Sequence, residues 1–433
     1  MNNIKGNELY MEGVRMTELA ERFGTPLYVF SESLIREHFA EIRKEFLDRY
    51  RAYNAAGRPG AFAAYAGKAF LPKAMCRIVE EEGFGLDVVS EGEFCTAVSS
   101  GFPAERICYH GNNKSAAELD RAIGAGLGRL IVDGLDELDM VCEIAERHGK
   151  KQRVLFRITP EVGAGMHGHI TTGNRDSKFG VPIDEDILYP LIERAIKNEH
   201  VAFKGLHIHI GSQIFDAKPY VEAVGKTLEV IDEIYRRFSC PVEEMIIGGG
   251  FGIRYTKDEE RKPYSYYLDP VMQSVKDFCA ERGLVPPDVG IEPGRSIVGD
   301  AGVTLYTVGS IKQIPGGTKY ISIDGGMSDN IRPALYGAKY EAVIANKAGE
   351  PASEMVTICG KLCESGDRII DGAELASAER GDIICVFSTG AYGYTMASNY
   401  NKIPKPAVVL VSGTEVKEIV RRQTIDAMIA DEV

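Results

Sequence analysis

From about residue 60 the chain alternates short apolar runs with longer amphipathic ones. The runs Ala61–Ala66, Gly85–Val89, Arg106–His110, Arg129–Asp133, Arg153–Ile158, Phe203–Ile210, Met245–Ile247 and Val289–Glu292 have the length and composition of buried strands. Between them, Pro72–Glu82, Glu91–Ser100, Ser115–Gly126, Leu135–His148, Ile187–Asn198, Tyr220–Phe238 and Tyr266–Arg282 carry helical periodicity. Such alternation predicts parallel strands joined by crossover helices. Eight repeats predict an α/β chain with a closed (β/α)8 barrel, a doubly wound open sheet being the other topology.

After about Val298 the pattern changes. Val303–Ile314, Lys319–Ile323, Met355–Cys359, Asp382–Phe387 and Val408–Ser412 read as strands separated by turns. The expected organisation is a barrel over 32–297 and a mainly β C-terminal domain over 298–433. The β-like run Leu27–Phe30 brings residues 1–31 into that second domain as an extra strand.

The ends of the predicted barrel strands read Lys68, Asp87, His110, Asp133, Arg157, His209, Gly248-Gly249-Gly250 and Glu292-Pro293-Gly294-Arg295. In a barrel the C-terminal ends of the strands share one face, and that face carries the active site. One polar residue after a strand is unremarkable. Polar or glycine residues after eight successive strands are a site.

Composition then narrows the chemistry. Net charge is −13, against the basic footprint that nucleic-acid binding requires. Nine cysteines, an odd number without a CxxC pair, point to reduced thiols rather than a disulfide framework. The N-terminus lacks the apolar core of a signal peptide, and no apolar run approaches a membrane span. The expectation is a cytoplasmic enzyme with no nucleic-acid or membrane partner.

Read alone, Lys68 is a loop lysine, more often solvated than functional. In its functional form such a lysine makes a Schiff base, with burial freeing the amine. The run Gly248-Gly249-Gly250-Phe251-Gly252 offers backbone N–H groups to a phosphate, and it lacks the lysine of a nucleotide P-loop. Glu292 either pairs with an arginine such as Arg295 or with a cationic ring nitrogen. At 4 Å and an effective dielectric near 20 the second pairing is worth roughly 4 kcal/mol, or about three pKa units. That suffices to keep a ring nitrogen protonated. His207 and His209 alternate along one run, so one can stack on a ring. Metal binding by the two is disfavoured for want of a nearby acidic ligand, and no metal is expected.

The set Tyr65–Lys68, His207–Gln213, Gly248–Gly250 and Glu292–Arg295 resembles the fold-type III pyridoxal-phosphate decarboxylases, which pair an alanine-racemase-like barrel with a β domain. Four further motifs narrow the resemblance to the diaminopimelate decarboxylases within that family. They are the segment 171–180, Ile331-Arg332-Pro333-Ala334-Leu335-Tyr336, Cys363-Glu364-Ser365-Gly366-Asp367, and Gly390-Ala391-Tyr392 through Asn399-Tyr400-Asn401. The resemblance covers nearly the whole chain. It implies decarboxylation of meso-2,6-diaminopimelate to L-lysine, with pyridoxal 5'-phosphate held as a Schiff base on Lys68. It implies that His209 stacks on the cofactor ring and that Glu292 pairs with its nitrogen. By the same token Ser212, Gly248, Gly249, Gly250, Gly294 and Tyr392 hold the phosphate, with Asp87 and Arg157 nearby. Arg295, Arg332, Tyr336 and Tyr392 receive the substrate's distal end, and Cys363 and Glu364 come from the second subunit of a homodimer. Cys363 or Lys68 returns the proton. Two positions depart from the pattern: Tyr340 stands where histidine usually ends the Leu335-Tyr336 motif, and Gly360-Lys361-Leu362 stands where Gly-Pro usually leads into the Cys363 loop. A related decarboxylase acting on D-ornithine, D-lysine or carboxynorspermidine remains open on sequence.

Overall fold

The structure, a computed structural model, describes residues 2–51, 58, 60–162 and 177–433. The chain divides into two compact units. One comprises Phe39–Gly252 and Arg261–Gly294; the other comprises Met1–His38, Ile253–Glu260 and Arg295–Val433.

In the first unit eight parallel strands follow one another in chain order: Ala61–Ala66, Gly85–Val88, Ile107–Tyr109, Arg129–Val132, Gln152–Thr159, Val201–His207, Glu244–Ile246 and Asp288–Ile291. Each pairs with its chain neighbour, and Asp288–Ile291 pairs back onto Ala61–Ala66, which closes the barrel. The open doubly wound alternative is thereby excluded. The strands are nearly continuous buried runs, as strands covered on both faces must be. Ile131, Leu155 and Ile246 fill one layer of the interior, with Phe62 against them. Gly290 makes room for that ring, since a Cβ there would lie 2.4 Å from Phe62. At the start of the strands the buried Glu244 is doubly paired, accepting from Arg129 Nε (2.7 Å) and Arg153 Nη2 (2.7 Å).

The connecting helices begin where the sequence supplies caps. Ser115 and Glu118 form a capping box before Ala116–Gly124, whose Leu119, Ala122 and Ile123 face inward at helical spacing. The helix Lys218–Phe238 runs 21 residues and begins with proline at its first turn.

The second unit has a small sheet of Asn2–Lys5, Glu8–Met11 and Val14–Arg15 and is built mainly on a larger one. Its order is Arg368–Leu375, Glu354–Cys359, Lys319–Ile323, Gly302–Gln313, Leu27–Ser31, Ala407–Ser412 and Glu415–Val420, with Ile383–Val386 and Ala342–Ile344 branching from Gly302–Gln313. The early run Leu27–Ser31 lies at the centre, antiparallel to Gly302–Gln313 and parallel to Ala407–Ser412. Two apolar clusters pack on this sheet, one around Tyr306, Ile321 and Ile358, the other around Leu27, Val303 and Val409. Arg368–Leu375 and Glu415–Val420 escape the sequence reading for local reasons. The first is interrupted by Asp371-Gly372, with Gly372 at φ +71°, and the second is a charged edge strand with little burial. Among the described residues no helix is long and apolar enough to cross a membrane.

Two glycines should respond oppositely to alanine. Gly205 sits where the strand register shifts, and a Cβ there would lie 1.7 Å from the Glu244 carbonyl oxygen. Gly205→Ala should lower the unfolding free energy by about 2–4 kcal/mol. Gly225, inside Lys218–Phe238, has nothing within 4 Å of a Cβ. Gly225→Ala should raise stability by about 0.5–1 kcal/mol. Denaturant titration of both variants checks the pair.

Candidate active site

The predicted strand-end residues of the first unit do gather at the C-terminal end of the barrel. Glu292 follows Asp288–Ile291 and is held in place by its own N–H, which donates to the Gly248 carbonyl at 2.8 Å. Its carboxylate lies between two histidines. His207 Nε2 is 3.0 Å from Oε2, and His110 Nε2 is 3.1 Å from Oε1, an ion-pair distance without hydrogen-bond alignment. His110 Nε2 is also 3.6 Å from Asp87 Oδ1. The two imidazoles meet edge to face, centroids 5.1 Å apart. All four side chains are buried.

Burial raises the cost of every charge here, so the neighbours decide which groups carry one. Burial pushes Glu292 upward, but His110 and His207 outweigh it and hold the carboxyl well below its usual range. Burial pulls His110 down; Glu292 and Asp87 overcome this and push it up to about 9. Asp87 goes the other way, raised to about 7 by burial and by Glu292. Burial lowers His207 to about 4, so its ring is neutral and its Nε2–H donates to Glu292. Glu292 is therefore the anion of the group, and its buried partners are histidines. The alternative of an arginine partner is not met among the described residues. For His207 and His209 the sequence offers no nearby acidic ligand; Glu292 does lie beside His207, and ligand atoms of His110, His207 and Glu292 lie within 4.8 Å of one another. The sequence reading named neither His110 nor His207 as a partner of Glu292. The available signal was that both end barrel strands, as Glu292 does.

The glycine run forms a tight cradle. Gly248 and Gly250 adopt φ of +75° and +92°, and a Cβ at Gly249 would lie 2.1 Å from the Glu292 carbonyl oxygen. The Gly249 and Gly250 carbonyls accept from Tyr220 Oη and Ile214 N. The three glycine N–H groups have no acceptor among the described residues. Gly211 has φ +147° and leads into the half-buried Ser212. A Cβ on Gly248 would lie 2.5 Å from the His209 ring, so that ring lies directly on the cradle. Burial, then the charges of Lys68 and Arg157, keep His209 neutral.

Lys68 lies in the turn Gly67–Ala69 that ends Ala61–Ala66. The residue is exposed, not buried. Its charge acts on Asp87 and His209. Gly294 packs on the same turn, 3.0 Å from the Ala66 carbonyl oxygen to a built Cβ. Arg157 is buried over the Phe179 ring at 4.5 Å, with no ion pair among the described residues. Asp133 accepts from Gly180 N at 3.0 Å. The rest of the 171–180 motif, residues 171–176, lies outside the described residues.

In the second unit Arg332 and Tyr336 bound the short helix Arg332–Tyr336, the arginine buried and the tyrosine exposed. Arg295 lies 4.9 Å over the Tyr392 ring and donates to Tyr255 Oη at 2.5 Å. Cys363 and Glu364 are exposed on a loop tied down by Asp367, whose carboxylate accepts from Met327 N (2.6 Å) and Leu362 N (2.9 Å), and by Asn401, which accepts from Cys363 N.

Unpaired backbone amides beside a buried anion and a strand-end amine suit a phosphorylated cofactor with a cationic ring. Residues 39–299 match the family described as "Pyridoxal-dependent decarboxylase, pyridoxal binding domain". Fold, site and match together define a pyridoxal-phosphate-dependent carboxy-lyase of the barrel type. Curated relatives then narrow the class. The chain is 47% identical to diaminopimelate decarboxylase of Bacillus subtilis (strain 168) over 97% of this chain and 94% of that protein. It is 46% identical to the Bacillus methanolicus protein of the same name, over 99% and 98%. The crystal structure of diaminopimelate decarboxylase from m. jannaschii in co-complex with L-lysine superposes with a TM-score of 0.92 at 35% identity, covering 100% of this chain and 97% of the other. The chain belongs to the diaminopimelate decarboxylase family.

Glu292→Gln should move the His110 titration down from about 9 toward the ordinary histidine range. Because the folded value is raised, the stability this pair contributes is complete below about pH 6.5 and is lost as pH rises through 9. The variant should flatten that part of the stability profile. Imidazole resonances followed by NMR in the cofactor-free protein check the shift, and an unmoved His110 would refute the pairing.

Proposed function

We infer that the protein converts meso-2,6-diaminopimelate to L-lysine and carbon dioxide. Full-length identity to relatives bearing that activity in their name carries the reading. Pyridoxal phosphate, when bound, supplies an electron sink for the charge left as carbon dioxide departs. The chain's own residues do the rest. Lys68 supplies the amine that attaches the cofactor. The N–H groups of Gly248, Gly249 and Gly250, with Ser212, Gly294 and Tyr392, receive its phosphate, as free amides at a backbone nest do. Glu292, kept anionic by His110 and His207, would hold the protonated ring nitrogen, and His209 would hold the ring's face. Asp87 and Arg157 set the local charge.

At the distal end of the substrate Arg295, Arg332, Tyr336 and Tyr392 receive the carboxylate, for which a guanidinium offers two parallel donors. Glu364 answers the ammonium. Cys363 protonates the carbon that has lost its carboxylate. The exposure of Cys363 and Glu364 supports a homodimer in which this loop serves the partner's site. A free, exposed Cys363 among nine unbridged cysteines supports a reducing, cytoplasmic setting.

Product analysis of the purified enzyme with meso-diaminopimelate beside D-lysine, D-ornithine and L-lysine tests the substrate. L-Lysine should form from the first far faster than any amine forms from the others; preference for D-ornithine or D-lysine would overturn the reading. Lys68→Ala should lose the absorbance band of the bound cofactor near the visible edge. Cys363→Ala should keep that band and lose about 10²–10⁴-fold in turnover, the usual worth of a positioned acid.

A further inference from the structure

Arg332 is 6% exposed. Among the described residues no carboxylate pairs with it, and a guanidinium cannot shed its charge. Its partners are two phenols. Nη1 donates to Tyr340 Oη, and the guanidinium lies 4.9 Å from the Tyr255 ring centre and 5.6 Å from that of Tyr340. The two rings stand at 84° with centroids 5.5 Å apart, forming a corner. Both are buried, at 4% for Tyr340 and 7% for Tyr255. Tyr255 also accepts from Arg295 Nη1 at 2.5 Å, so one phenol touches both arginines.

This corner restrains Arg332 without neutralising it. Ring faces attract a cation but offer no opposite charge. The hydrogen bond to Tyr340 occupies Nη1 and leaves other donors of the fork for a planar anion. Burial keeps the Tyr340 phenol un-ionised, pushed up to about 12, so it brings no negative charge that would compete with a ligand. A carboxylate residue at this place would satisfy the arginine and close the subsite.

We propose that Tyr340, with Tyr255, is a positioning residue that fixes the Arg332 fork for the distal carboxylate and so sets the preference for substrates carrying one. The proposal rests on the substrate reading given above, because it assigns Arg332 to that end of the amino acid. It also gives a role to the tyrosine that stands where the family usually has histidine.

L-Lysine and cadaverine form a matched pair of probes that differ by that carboxylate alone. Their inhibition constants are measured against meso-diaminopimelate turnover by the holoenzyme, and their direct binding by calorimetry. Tyr340→Phe keeps the ring and removes the acceptor. It should weaken L-lysine about tenfold, the scale of one hydrogen bond to a charged group. Cadaverine should change by less than about twofold, and KM for meso-diaminopimelate should rise more than kcat falls. Tyr340→His, whose neutral ring nitrogen accepts the same bond, should recover most of the L-lysine affinity. Equal weakening of both probes would show a merely structural role and overturn the proposal, as would unchanged L-lysine binding in Tyr340→Phe or equal loss in Phe and His variants. Failure of the wild-type enzyme to turn over meso-diaminopimelate would sink the substrate reading instead, and calorimetry would still decide the role of Tyr340.

Discussion

Closure of the barrel is the constraint from which the site follows. Once Asp288–Ile291 pairs with Ala61–Ala66, the first and last strands of a run of about 230 residues become neighbours. Strand ends far apart in sequence are then forced onto one rim. Ala66 N donates to the Pro293 carbonyl at 3.0 Å, which ties the turn carrying Lys68 to the turn after Glu292. The same proximity explains why the junctions are glycine. Gly67, Gly249 and Gly294 each bring one strand end against another backbone, where a side chain would meet a carbonyl oxygen at 3.0 Å or less.

Within that rim the chemistry is governed by desolvation. Four ionisable side chains share a space with little access to water, and a buried unpaired charge is costly. The arrangement settles on alternating character: Asp87 raised, His110 cationic, Glu292 anionic, His207 neutral. Each state is stabilised by its neighbour, so the carboxylate stays ionised in a setting that would otherwise protonate it. Asp87 contributes through His110 rather than by direct contact with Glu292. Removing any member changes the protonation of the others, which is why the effect of a substitution here extends beyond one contact.

The barrel and its strand-end residues were legible because they are written in local patterns. Buried parallel strands show as short apolar runs, and crossover helices as longer amphipathic ones. Lys68, Glu292 and the glycine run stand at the ends of such runs and could be found by position. The partners of Glu292 were less legible, since an arginine three residues away is a nearer candidate than histidines separated from it by 182 and 85 positions. Sequential strand pairing brings His207 to Glu292, and closure brings His110. The exposure of Lys68 was also hidden, because a run of buried alanines does not say which way the following turn points. In the second unit the edge strand Glu415–Val420 carries no period-two burial to detect, and Tyr255 sits in an irregular segment whose sequence gives no sign that it contacts Arg332.

Buried charges in this chain are treated in two ways, and the contrast separates scaffold from recognition. Glu244 is paired with Arg129 and Arg153, and Lys114 with Glu137 and two carbonyl oxygens; both groups are complete within the fold. Arg332 is equally buried but, among the described residues, meets only phenols and ring faces. A protein that needed this arginine for stability alone would gain by placing an acid beside it, since half-satisfied buried charges are worse than fully satisfied ones. Keeping it restrained yet uncompensated makes sense when the missing anion arrives with a ligand. The binding free energy of that anion then includes relief of a charge the fold had left unpaired, which is how a small subsite can discriminate strongly against a ligand that lacks it.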